Sequence, residues 1–184
     1  MFFNNHMGNR LVFHLQRHLR IMPVTLVSTI SLLHRKGVSE ETLQKQVAWL
    51  GMACKQRGAV LANSGLSDVT QVQIGLRHLQ DYLVKKRDVL MPKVGTAAAQ
   101  GADNSSFIML NYYRNPLNHL FFNESLIVAS MLSFGSESTW TQGVNIEELY
   151  QRTCYLADLL KREEVLEHRI SSDSQGSKVF NQTI

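Results

Sequence analysis

The sequence predicts a mostly α-helical module with at most one small β-hairpin. Apolar residues recur at helical spacing through most of its length, N-cap residues stand just before several of those runs, and a single stretch near the middle alternates as a hairpin would.

Residues 8–22 read as an amphipathic helix, with Arg10, His14 and Arg17 on one face and Leu11, Leu15, Leu19 and Met22 on another. Pro23 interrupts it and suits the first turn of a more apolar helix over 24–36, which Gly37 closes. Ser39 is an N-cap followed by Glu40 and Glu41, and Leu43, Val47, Leu50 and Cys54 supply the apolar stripe of the next helix until Gly58. After a loop with Asn63, Ser64 and Gly65, Ser67 caps a helix striped by Val69, Val72, Leu76, Leu79 and Leu83.

Tyr82–Val94 alternates weakly, with Lys85, Lys86 and Arg87 where the turn of a hairpin would sit. Small and polar residues make 95–106 a linker. Helix resumes over 107–134, where Asn115-Pro116 marks a start and Leu117, Leu120, Phe121, Ser125 and Val128 are expected to face inward. The last helix opens on the capping-box pair Asn145 and Glu148 and runs through Ile146, Leu149, Leu156 and Leu160 to about Leu166. The expected organisation is thus a helical subdomain over 8–94 with its hairpin, a linker over 95–106, a helical segment over 107–170 and a polar tail over 171–184.

Composition narrows the function classes. At 44% hydrophobic and 18% charged, 184 residues can bury a core and are neither fibrous nor disordered. The two cysteines, Cys54 and Cys154, have no partner cluster, so neither a disulfide framework nor a zinc site is indicated, and a reducing intracellular compartment is the simplest setting. The net charge of +4 is unevenly spread: residues 1–39 carry Arg10, Arg17, Arg20, Arg35 and Lys36 and no acid before Glu40. Such a start attracts anionic lipid, phosphate or nucleic acid, or is simply a solvated helix face. The uncharged stretches Ile21–Leu33 and Ser125–Ser136 are short of the roughly 20 apolar residues a bilayer span needs. The Met-Phe-Phe start lacks the layout of a secretory signal, though an Arg-bearing, acid-free helix is compatible with organelle import.

Chemistry has few candidates. One His-x-x-x-x-Asp spacing occurs, His168 with Asp173, in the polar tail where no core would hold the pair or exclude water, so no catalytic residue is expected. His14 and His18 stand four apart on a helix without a third metal ligand nearby. Gly58 and Gly65 belong to no phosphate loop, and no cofactor is expected. The candidate binding residues are Tyr113, Arg114, Asn115 and His119, which with Tyr112 gather aromatics, a guanidinium, an amide and an imidazole. That mix can bind phosphate; the competing reading, favoured on the residues alone, is a buried polar network that pins one helix against another.

Three stretches resemble the region downstream of the catalytic domain in glycerol-3-phosphate and dihydroxyacetone-phosphate O-acyltransferases. The first is Met22-Pro23-Val24-Thr25-Leu26-Val27 through Leu32-Leu33-His34-Arg35-Lys36-Gly37 and on to Trp49-Leu50. The second is Tyr112-Tyr113-Arg114-Asn115-Pro116-Leu117-Asn118-His119-Leu120-Phe121, with Glu124-Ser125-Leu126-Ile127-Val128-Ala129 behind it. The third is Cys154-Tyr155-Leu156-Ala157-Asp158-Leu159-Leu160. The resemblance spans roughly 8–166, and its middle block is the distinctive one. It implies acyl-CoA as donor and glycerol phosphate or dihydroxyacetone phosphate as acceptor in the full-length family. It further implies a catalytic domain as partner and a peripheral membrane surface, of the mitochondrial outer membrane, the endoplasmic reticulum or the peroxisome. The family's His-x-x-x-x-Asp and phosphate-binding blocks do not occur before Met22, so the resemblance implies a fragment without the catalytic block.

The alternative is a winged-helix-like nucleic-acid or protein-binding module, three helices over 24–84 and a basic hairpin. Its third helix would expose Gln71, Gln73, Arg77 and His78, too little positive charge for phosphate contacts to dominate, so nucleic acid is not the expected partner.

Overall fold

The computed structural model describes residues 2–93, 105–135, 143–160, 170 and 174–184. It is mostly helical, as the sequence predicts, with a few short strands. The chain forms two compact units, Arg17–Leu120 and Met1–Gln16 with Phe121–Ile184.

The chain opens with α1 (Phe2–His18), which ends earlier than the predicted residue 22. Pro23 holds Met22 in extended backbone, and Arg20–Ile21 (β1) instead pairs in parallel with Val60–Leu61 (β3), burying Ile21. Pro23 starts α2 (Pro23–Leu33), the central element of the Arg17–Leu120 unit. α2 is apolar nearly all round, and such a helix is stable only when covered on all sides. Three of its hydroxyls are satisfied by its own backbone: Ser28 Oγ and Thr29 Oγ1 donate to the Thr25 carbonyl and Ser31 Oγ to that of Val27.

Gly37 turns the chain at φ +111°, where a Cβ would collide with the Val89 side chain. Val38–Ser39 (β2) follows, and Ser39 then caps α3 (Glu40–Gln56) by accepting from the Thr42 amide at 3.2 Å. Leu43, Val47, Leu50 and Cys54 are buried at the predicted positions. Ser67 caps α4 (Asp68–His78) in the same way, and Val72 and Leu79 are fully buried. Gln71, expected on the exposed face, is buried and donates to the Leu66 carbonyl. Val69, expected inside, is exposed because the helix turns Gly75 to α2.

The hairpin forms from β4 (Leu83–Lys86) and β5 (Val89–Pro92), with the turn at Arg87 and Asp88; Lys85 and Lys86 lie in the strand. Unpredicted is the third strand: β2 pairs antiparallel with β5, giving the order β2-β5-β4. A two-residue strand has no periodicity to read and exists only because β5 offers it an edge. Three helices followed by a hairpin are what the winged-helix alternative requires, but a fold does not carry a function. Lys85 is engaged by Glu40 at 2.8 Å, which leaves that alternative with less positive surface than the sequence suggested, and Gln71 is buried against the Leu66 carbonyl.

α5 (Ser105–Arg114) packs on α2 through buried Ser106 and Leu110, followed by a 3₁₀ turn (Asn115–Leu117) and α6 (Asn118–Leu132). Ser105 and Ser106, expected in the linker, are therefore the first turn of a helix; the linker residues 95–104 lie outside the described residues. Composition marks where a chain lacks apolar surface, not which core the following helix joins.

In the second unit, α7 (Ile146–Leu159) starts as predicted, with Asn145 Oδ1 accepting from the Glu147 and Glu148 amides. The Glu148 carboxylate pairs with Arg152, whose guanidinium lies 3.7 Å over the Phe134 ring. The core gathers Ile127, Leu149, Cys154, Ile170 and Phe180, with Met131 and Tyr150 against them. Phe180 belongs to α8 (Ser174–Thr183), a helix where a polar tail was expected: Val179 and Phe180 suffice to anchor it. In α6 the buried positions are Leu126, Ile127 and Ser130, while Ser125 and Val128 are exposed, contrary to expectation. α6 is apolar on most sides, so periodicity did not select its inner face. Ile146, the first residue of α7, is exposed, and the helix meets the core at Leu149.

Candidate functional site

Tyr113, Arg114, Asn115 and His119 are brought together by the break between α5 and α6. Asn115-Pro116 cannot continue α5 because proline lacks the amide and restricts the residue before it, so the chain tightens into the 3₁₀ turn and seats Leu117 in the core. Arg114 thereby ends one helix and His119 begins the next.

Tyr113 is half-buried between two rings, with centroids 5.7 Å from Tyr112 in an edge contact and 6.3 Å from Tyr82. Tyr82 is the base of the hairpin: its amide donates to the Leu79 carbonyl and its carbonyl accepts from the Lys93 amide. Tyr113 thus ties α5 to the junction of α4 and β4. Tyr82 was not singled out in the sequence, because nothing local marks a tyrosine as the partner of one in a distant helix. Arg114 is half-buried, and its Nε finds no hydrogen-bond partner among the described residues. Asn115 is exposed.

His119 is half-buried, and that burial, opposed by its hydrogen bond with the Pro116 carbonyl, holds its pKa below the ordinary 6.5. The unfolded chain therefore takes up this proton at higher pH than the folded one. Stability is full above the unfolded value and falls as pH drops through the folded one. Urea midpoints measured from about pH 7.5 to about pH 5 are expected to decline more steeply for the native chain than for His119→Gln. Equal slopes would show that the imidazole is not shielded.

Tyr112–His119 contains no carboxylate to orient an imidazole as a base. It offers cationic and amide donors, a set suited to holding an anion or a polar network and not to proton transfer from an alcohol. His168 and Asp173 lie outside the described residues. His14 and His18 are both exposed on α1, and among the described residues no three His, Cys, Asp or Glu side chains gather at one point.

A family model described as the glycerol-3-phosphate acyltransferase C-terminal region matches residues 2–182. No curated protein matches the chain significantly.

Proposed function

The chain belongs to the glycerol-3-phosphate acyltransferase family through its C-terminal region, and from that membership we propose that it is the non-catalytic helical part of such an enzyme, packing against the catalytic domain at a membrane surface. One observation carries this: the match runs through nearly all of the chain and is to the C-terminal region. The chemistry it serves is esterification of the first hydroxyl of glycerol phosphate, or of dihydroxyacetone phosphate, by an acyl-CoA in glycerolipid or ether-lipid synthesis. The membrane is the mitochondrial outer membrane or that of the endoplasmic reticulum or the peroxisome.

In this reading Tyr113, Arg114, Asn115 and His119 shape the joint between α5 and α6 and pin it to the hairpin base; they do not hold the substrate phosphate. The aromatic contacts of Tyr113 and the burial of His119 support that assignment.

The test is coexpression with the family's catalytic domain, followed by affinity capture and radiolabelled acyl-CoA transfer to glycerol 3-phosphate and dihydroxyacetone phosphate. The expected result is a complex with altered transfer activity, and no product from the purified chain alone. Neither capture nor any change in activity would overturn the proposal, as would robust turnover by the isolated chain.

A further inference from the structure

α1 carries an apolar stripe that nothing in the described structure covers. Met7, Leu11 and Leu15 recur every fourth residue and are 58%, 63% and 63% exposed, with Val12 beside them at 40%. Burying them would remove substantial apolar surface from water, so leaving them exposed is costly unless another phase receives them. Beside the stripe the helix exposes Arg10, and no acidic residue occurs before Glu40.

Charge separates this face from the exposed apolar faces of α3, α6 and α7. Trp49 and Met52 on α3 share their stripe with Glu41; Val128 and Leu132 on α6 follow Glu124; Tyr155 and Leu159 on α7 flank Asp158. A carboxylate beside an apolar face is repelled by anionic lipid but suits a protein partner. Only α1, among these, combines apolar residues with cations alone. Its 17 residues make a rod about 25 Å long. No helix of the described residues is long and apolar enough to cross a membrane, so the fitting geometry is a helix lying in the interface, apolar side down and cations at the headgroups.

We propose that α1 is the lipid-contact element of this chain and that its partner is an anionic bilayer surface, a statement that rests on the reading of the chain as the non-catalytic part of a membrane-associated enzyme. Apolar insertion supplies the affinity, and the Arg-bearing, acid-free sequence of the helix supplies the preference for anionic headgroups.

The experiment is vesicle co-sedimentation of the 184-residue chain with phosphatidylcholine alone and with phosphatidylcholine containing phosphatidylglycerol. Binding is expected to the anionic vesicles and to fall with added salt. Leu11→Ser/Leu15→Ser is expected to weaken it by at least about tenfold. Arg10→Gln/Arg17→Gln is expected to abolish the difference between the two vesicle types, and Tyr155→Ser/Leu159→Ser to leave binding unchanged. Thiol protection of Cys54 and Cys154 checks that each variant is folded. Absence of vesicle binding, equal binding to neutral vesicles, or loss caused by the α7 variant and not by the α1 variants would overturn the proposal. The same proteins are carried through capture by the catalytic domain. Capture without vesicle binding sinks the role of α1 alone, whereas vesicle binding without capture sinks the proposed function and leaves α1 as a lipid-binding helix.

Discussion

Gly75→Val is expected to destabilise the Arg17–Leu120 unit by about 3 kcal/mol or more, the upper range for overpacking a core. A Cβ at this position would lie 2.6 Å from Val27 Cγ2 and 3.0 Å from the Pro23 carbonyl oxygen. Val27 is fully buried in α2, so its methyl has nowhere to go, and the carbonyl belongs to the first turn of that helix. The helices α2 and α4 would have to separate, reopening the centre of the unit. Gly75→Ala meets the same contacts but gains up to about 1 kcal/mol of helix propensity, so a smaller loss is expected. The order of stabilities native, alanine, valine is checked by urea denaturation.

Cys54 gives a second readout. It is fully buried, and burial, only partly opposed by Arg57, pushes its thiol up to about 11. It should resist thiol reagents at neutral pH in the native chain. Faster labelling in Gly75→Val is the expected sign of opening, and native labelling with a native urea midpoint would show that the α2–α4 contact tolerates a side chain.

Phe180→Ala is expected to cost the other unit about 3 to 5 kcal/mol, the loss typical of emptying a buried aromatic site. Phe180 is 2% exposed, its ring 5.0 Å from that of Tyr150 in an edge-to-face contact, and it packs with Ile127, Leu149, Cys154 and Ile170. α8 is short and otherwise polar, so little besides this residue and Val179 holds it in place. Thermal unfolding should show an early transition, and Cys154, buried in the same cluster, should become reactive below it. If the variant keeps both the native transition and a protected Cys154, α8 does not contribute to the core.

At the candidate site, the break itself was legible: Asn115-Pro116 in an otherwise helical stretch fixes a local event, since proline cannot donate an amide. Which side chains meet there was not. The sequence left Tyr113, Arg114, Asn115 and His119 as a choice between a phosphate site and a packing network. Only the position of Tyr82 at the hairpin base and the burial of His119 give the geometry that favours packing.

By itself the sequence determined whatever depends on neighbouring residues. Ser39, Ser67 and Asn145 bond to amides two or three residues away, so α3, α4 and α7 begin where those residues stand. Pro23 sets the start of α2 through its own ring, and the alternation after Tyr82 yields the hairpin. Tertiary structure decided what depends on a distant surface. β2 is a strand because β5 lies beside it, α6 buries Leu126, Ile127 and Ser130 because its apolar residues allowed several inner faces, and α8 is anchored by the pocket that receives Phe180. The physical difference is range: a cap or a proline acts within one turn of backbone, whereas the choice of a buried face is made by the element that covers it.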